Sequence, residues 1–273
     1  MAEVPQINPQ GRVLVFDSGV GGLSVVGEIR KRLPNLCLDY VADDAFRPYG
    51  EKSADALMAR LPGLLASLDI MTKPDAIVIA CNTASVTALE AIREVVETPV
   101  IGVVPAIKPA SELSKTRTIG VLGTPGTVRR KYVDSLITQF AGDCQVVLQG
   151  SVNLVEWAEG KLAGESLSIE YFQRELAPLF EGRRGADIDV VVLACTHFPL
   201  LAHELKQSVR QSIHWIDSGA AIAKRVEVVL RQIDKHPCET REDIAFLMGP
   251  NAGAARVKAF QSFGFKRVIG LLP

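Results

Sequence analysis

The sequence predicts an α/β fold built on mainly parallel sheets, and three features carry that expectation. Short β-branched runs alternate with segments of helical spacing; several runs end in a small or polar residue that opens the next helical segment; and the runs Ala76-Ile77-Val78-Ile79-Ala80 and Val190-Val191-Val192-Leu193-Ala194 are apolar at every position. A strand apolar on both sides is one whose two faces are covered by helices, as in a parallel sheet. Strand–helix alternation along the whole chain is the pattern of crossover-connected parallel strands.

Taken in order, the first strand is expected over 12–16, stopped by the turn Asp17-Ser18-Gly19, and the second over 36–41, stopped by Asp43-Asp44. Leucines at helical spacing predict a helix over 54–68, followed by a strand at 76–80 and a helix at 84–96. Strands are then expected at 99–104, 118–122, 145–148, 190–194 and 214–216, with helices over 128–140, 166–180 and 219–233. Two last strands are expected at 244–248 and 267–271.

Composition narrows the class. Hydrophobic residues make up 48% of the 273 positions and charged residues 22%, the mixture of a globular chain and not of a disordered one. With 30 Lys+Arg against 31 Asp+Glu the net charge is −1, so nucleic acid is not an expected partner, because phosphate neutralisation needs a basic surplus. No apolar run approaches the roughly 18 residues of a membrane span, and the start of the chain has no signal-peptide core. A cytoplasmic protein with no membrane partner is therefore expected, its five cysteines reduced.

A faint internal repeat is also present. Asp75-Ala-Ile-Val-Ile-Ala-Cys81-Asn-Thr83 aligns without gaps on Asp189-Val-Val-Val-Leu-Ala-Cys195-Thr-His197, and Phe16-Asp17-Ser18-Gly19 has an echo at Leu122-Gly123-Thr124. The two offsets are similar. Two related α/β halves facing one another are expected, each presenting one cysteine. A chance match of two monotonous apolar strands is the alternative.

In parallel sheets, ligands bind beyond the carboxyl ends of the strands, at points where strand order reverses. The residues there read Asp17-Ser18-Gly19, Asp43-Asp44, Cys81-Asn82-Thr83, Gly123-Thr124 and Cys195-Thr196-His197. Small hydrogen-bonding groups opening a helix suit an anion such as a carboxylate. A helix N-terminus also lowers a thiol pKa from roughly 8.5 toward neutrality, which makes Cys81 and Cys195 candidate proton acceptors. Cys37, Cys144 and Cys238 read as small packing residues. His197, beside Cys195, can assist proton transfer or set the thiol's charge. A zinc site of two cysteines and one histidine is conceivable, but no CxxC or HxxxH pair supports it and no metal is expected. The turn Asp17-Ser-Gly-Val-Gly-Gly22 resembles a dinucleotide loop but carries Ser24 at the third glycine position, and an Asp before it would repel a pyrophosphate. Asp17 and Ser18 therefore read either as contacts to a substrate amine or as simple turn chemistry. Tyr49, in Arg47-Pro-Tyr-Gly50, stands either in a plain loop or in a cover over a small ligand.

Together these segments resemble the cofactor-independent aspartate/glutamate racemase superfamily. The residues carrying the resemblance are Phe16-Asp-Ser-Gly-Val-Gly-Gly-Leu23, Pro48-Tyr-Gly-Glu-Lys52, Ala80-Cys-Asn-Thr-Ala84, Leu122-Gly-Thr124 with Thr127, and Ala194-Cys-Thr-His-Phe-Pro-Leu200. The first two fit the glutamate branch best. The resemblance implies two similar α/β domains with the active site between them, here 1–104 with 215–273 and 105–214. It implies Cys81 and Cys195 as acid/base thiols, Cys81 serving D-glutamate and Cys195 L-glutamate. It further implies catalytic roles for Asp17, His197 and Glu156, and substrate contacts from Asp17, Ser18, Tyr49, Gly50, Asn82, Thr83, Thr124, Thr196 and His197. No cofactor, D-glutamate supply for peptidoglycan and a homodimer are part of the same expectation. Racemisation needs a proton removed from one face and returned on the other, so two opposed acid/base groups fit it. The competing readings are a racemase of aspartate or a related small acid, a non-catalytic nucleotide-binding module using the glycine turn, and a thiol hydrolase using Cys195 and His197.

Overall fold

A computed structural model describes residues 11–233, 242–249 and 253–271. Its strands are β1 (Arg12–Asp17), β2 (Cys37–Ala42), β3 (Ala76–Ile79), β4 (Val100–Gly102), β5 (Thr118–Gly123), β6 (Gln145–Gly150), β7 (Val190–Ala194), β8 (His214–Ile216), β9 (Ile244–Met248) and β10 (Arg267–Leu271). The helices are α1 (Leu23–Arg32), α2 (Ala54–Thr72), α3 (Asn82–Val95), α4 (Ile107–Leu113), α5 (Pro125–Val128), α6 (Lys131–Phe140), α7 (Asn153–Leu162), α8 (Ile169–Phe180), α9 (Gly182–Ala186), α10 (Ala202–Ser208), α11 (Gly219–Gln232) and α12 (Ala254–Ser262).

The strands form two sheets, of order β10-β9-β2-β1-β3-β4 and β6-β5-β7-β8, and every pairing is parallel. The order β2-β1-β3-β4 in the first is the order β6-β5-β7-β8 in the second. The repeat read from the cysteine-bearing strands is thus a repeat of topology: β1 corresponds to β5, and β3 to β7. β9 and β10 extend the first sheet beyond β2.

Each sheet is covered on both faces. Val13 and Val15 point into one apolar cluster with Leu38 and Tyr40, while Leu14 and Phe16 point into another with Leu57, Leu61 and Leu65. The second sheet divides in the same way, Val191 and Leu193 to one side and Val190 and Val192 to the other. The α2 stripe Leu57, Leu61, Leu65 and Leu68 lies on one helical face, and each such burial contributes about 1.5–3 kcal/mol. Ser53 opens α2 by accepting the Ala56 amide at 3.1 Å.

The structure adds helices α1, α4, α7, α9, α10 and α12 to the expected elements and departs from their expected bounds. The helix expected over 128–140 is two helices, because Thr124 caps α5 through the Thr127 amide (3.1 Å) and Arg130 is extended (φ −84°, ψ 136°) before α6. The helix expected from 166 starts at Ile169, since Ser168 is extended. α2 runs on to Thr72. The break expected between 214 and 215 falls inside β8, which pairs with β7 in the second sheet.

Candidate active site

In both sheets the strand order reverses beside the strand that starts the repeat, between β1 and β3 and between β5 and β7. Crevices at the carboxyl ends of such pairs are binding sites. Ser18 and Cys81 leave the first pair, Thr124 and Cys195 the second, and all four line one cavity between the sheets together with Tyr49, Gly50, Asn82, Thr83, Thr196 and His197. About 20 Å³ of this cavity is wide enough for water, room for about one molecule. Both thiols are buried, each 6% exposed. Cys37 and Cys144 stand at the opposite, amino ends of β2 and β6, and Cys238 lies outside the described residues.

The two thiols have different surroundings. Cys81 precedes α3, with the Ser18 hydroxyl 3.9 Å from its sulfur. The expectation of a thiol lowered by a helix N-terminus does not hold here. Burial pushes the Cys81 pKa up strongly, Asp17 adds to the rise, and the Ala84 amide offsets only part of it. Cys195 opens no α-helix; a 3-10 turn, Phe198–Leu201, follows it. Its neighbour is His197, whose Nδ1 lies 3.8 Å from the sulfur and whose Nε2 lies 2.9 Å from Glu159 Oε1. Burial would lower the His197 pKa, but the hydrogen bonds with Cys195 and Glu159 hold it well above the usual histidine value. The ring lies between a carboxylate and a thiol, in surroundings that favour its protonated form.

Asp17 does not face the cavity. Fully buried behind Ser18, it accepts the Gly19 amide at 2.7 Å and the Thr196 hydroxyl at 3.1 Å, joining the two sheets. Its pKa is raised by burial, against the pull of His197. Three hydroxyls also meet across the sheets: Thr83 lies 3.1 Å from Thr124 and 3.0 Å from Thr127, and the last two are 3.0 Å apart. Asn82 Nδ2 is buried without a hydrogen-bond partner. Donors free or exchangeable at one cavity wall suit a carboxylate ligand.

The glycine turn after β1 is packed against protein, not open to a phosphate. A Cβ on Gly19 would sit 2.1 Å from Glu159 Oε1, and one on Gly21 would sit 2.3 Å from His197 Nδ1. Glycine is required because side chains of the second-sheet half approach the turn that closely.

A family model described as Asp/Glu/Hydantoin racemase matches residues 26–226. The chain belongs to that family. Racemases are isomerases, and the chain is an enzyme of that class. It is 44% identical over 254 residues to the glutamate racemase of Pectobacterium atrosepticum, covering 93% of this chain and 88% of that one. To the glutamate racemase of Shewanella sp. (strain ANA-3) it is 48% identical over 231 residues, 85% and 83% of the two chains. The crystal structure of Escherichia coli glutamate racemase in complex with L-glutamate and the activator UDP-MurNAc-Ala superposes with a TM-score of 0.91, at 43% identity over 97% of this chain and 99% of that one.

Within this racemase fold, the glutamate expected at the second thiol is a different one. Glu156 is exposed on α7, whereas Glu159, one turn further, is buried and holds His197. The helical period decides it: positions three apart share a face only in part, and Leu154, Val155 and Ala158 turn the side bearing Glu159 inward. Asp43, expected at a strand end but without a role, accepts the Tyr49 hydroxyl at 2.5 Å and both Arg60 contacts at 2.6 Å, and so fixes Tyr49 at the cavity. The acidic pair after β2 carried that signal. Arg256, whose guanidinium reaches Glu159 from α12, had no motif around it. Among the described residues no group of three or more His, Cys, Asp and Glu is arranged to hold a metal ion, and no helix is long and apolar enough to cross a membrane.

Proposed function

We propose that this racemase interconverts L- and D-glutamate by a two-thiol acid/base mechanism, and the observation that carries the proposal is the pairing of Cys81 and Cys195 at equivalent strand ends facing one cavity. In the L-to-D direction the Cys195 thiolate takes the α-proton and becomes a thiol. The Cys81 thiol then delivers its proton to the opposite face of the carbanion and is left as a thiolate. The D-to-L direction exchanges the roles. The surroundings support this order: burial and Asp17 favour the protonated Cys81, and the His197 ring stands 3.8 Å from the Cys195 sulfur, within reach of its proton. Asn82 Nδ2 and the hydroxyls of Thr83 and Thr124 are suited to hold the substrate's carboxylates, and Ser18, Tyr49, Gly50 and Thr196 to complete the wall. Fixed donors of this kind stabilise charge that develops on a carboxylate as the proton leaves.

Closure of the two sheets over the substrate excludes water from the reacting carbon. In this reading the sheets mark two domains, with β8 added to the second. Supply of D-glutamate for peptidoglycan, a cytoplasmic location and a homodimer belong to the same proposal. Chiral chromatography of purified protein with L-glutamate and, separately, L-aspartate, with no added cofactor, tests it. Glutamate is expected to reach a 1:1 mixture of enantiomers while aspartate stays unconverted. No conversion of glutamate, or faster conversion of aspartate, would overturn the assignment.

A further inference from the structure

Four groups converge on the Glu159 carboxylate. Its Oε1 accepts the Val20 amide at 3.0 Å and faces His197 Nε2 at 2.9 Å; its Oε2 accepts from Arg256 Nη1 at 2.6 Å and lies 3.3 Å from Arg47 Nη1. Val20, Arg47 and Arg256 belong to the first-sheet half, and Glu159 and His197 to the second. Arg256 is itself held: Nη2 pairs with Asp44, and Arg47 Nε stands 3.9 Å from the same carboxylate. Two guanidinium groups thus meet two carboxylates, and His197 bridges one of them, Glu159, to the Cys195 sulfur. A buried carboxylate with a fixed partner on each lone-pair direction cannot turn.

We propose that Arg256 is a positioning residue for the Cys195 half of the reaction, acting through Glu159 to fix the His197 ring against the Cys195 sulfur. This rests on the two-thiol reading above. α12 brings the guanidinium from far along the chain, so the contact forms only when the two sheet halves are together. Arg256 then ties the placement of His197 to closure over the substrate. Without it, Oε2 keeps only the longer Arg47 contact, and the carboxylate is held less firmly against Nε2 by Val20 and Arg47 alone.

The test is a kinetic cycle of Arg256→Met, Glu159→Gln and the double variant, with Arg256→Lys alongside. Arg256→Met is expected to lose about tenfold to a hundredfold in kcat, the size of a lost charge-assisted hydrogen bond, with KM changed less than about twofold. Arg256→Lys recovers most of the loss. The double variant should be no slower than Glu159→Gln alone, because both changes break one chain of contacts. If Arg256→Met does not fold, the same cycle is run with Arg256→Lys, whose smaller loss should likewise vanish in the Glu159→Gln background. Losses that multiply in the double variant, or an unchanged kcat, would overturn the role.

A second readout needs no turnover. In ¹⁵N-histidine-labelled protein, the His197 Nε2–H signal, assigned by its absence in His197→Asn, should be protected from exchange in the parent and broadened in Arg256→Met. An unchanged signal overturns the proposal. A parent chain that does not racemise glutamate would instead remove the reading of the reaction, and the NMR comparison would still decide whether Arg256 fixes the ring.

Discussion

Gly21 shows how closely single positions are held at this site. Its Cα lies where a methyl group would stand 2.3 Å from His197 Nδ1 and 2.8 Å from the Thr196 hydroxyl. No rotamer change at Gly21 relieves such a contact, so His197 must move away from Cys195. Gly21→Ala should therefore lose at least about a hundredfold in kcat while remaining folded by circular dichroism, since the turn's φ is open to alanine. Gly27→Ala, a change in α1 with the nearest side chain 4.0 Å away, is the control and should keep parental turnover. Equal kinetics for the two variants would show that His197 tolerates displacement. At this scale the sequence was informative where motifs were dense. Ten of the twelve expected site residues line the cavity. Asp17 stands behind the wall, and Glu156 is replaced by Glu159 because an isolated carboxylate on an amphipathic helix gives no sign of which turn faces inward.

Elements that lie far apart in the chain bring charges together where local pattern carries no trace of them. The short turn after β2 and helix α12 meet through Asp44 and Arg256, and the fold joins them because β9 pairs with β2. Burial raises the Asp44 pKa from 3.8 to about 7, with Glu159 also pushing it up against the pull of Arg256. An acid raised on folding favours the folded state when protonated, so its contribution is present at low pH and is lost as pH rises from about 4 to about 7. Asp44→Asn keeps the neutral form throughout. Relative to the parent, its urea midpoint should therefore be higher at pH 8 than at pH 5. A midpoint difference independent of pH, or one of opposite trend, would contradict the assigned shift. The helices were legible from apolar spacing, but their ends were not wherever a cap such as Thr124 or an extended residue such as Arg130 set them.

Among the described residues one four-strand unit is used twice, extended in the first copy by β9 and β10, with the candidate cavity where the two copies face each other. Strand order could not be read from strand sequences alone, yet the shared Ala-Cys-polar ending of β3 and β7 foreshadowed it. The duplication gives the molecule two thiols on opposite walls, and the sequence between them makes their surroundings unequal. This is the central claim, and solvent exchange at the α-carbon in deuterated water tests it most directly. Cys195→Ser should retain deuterium incorporation into D-glutamate and lose it from L-glutamate, Cys81→Ser should do the reverse, and both should lose racemisation by several orders of magnitude. Cys37→Ser and Cys144→Ser, at the far strand ends, should behave as the parent. A Cys81 or Cys195 variant that racemises in both directions near the parental rate would contradict the two-thiol mechanism.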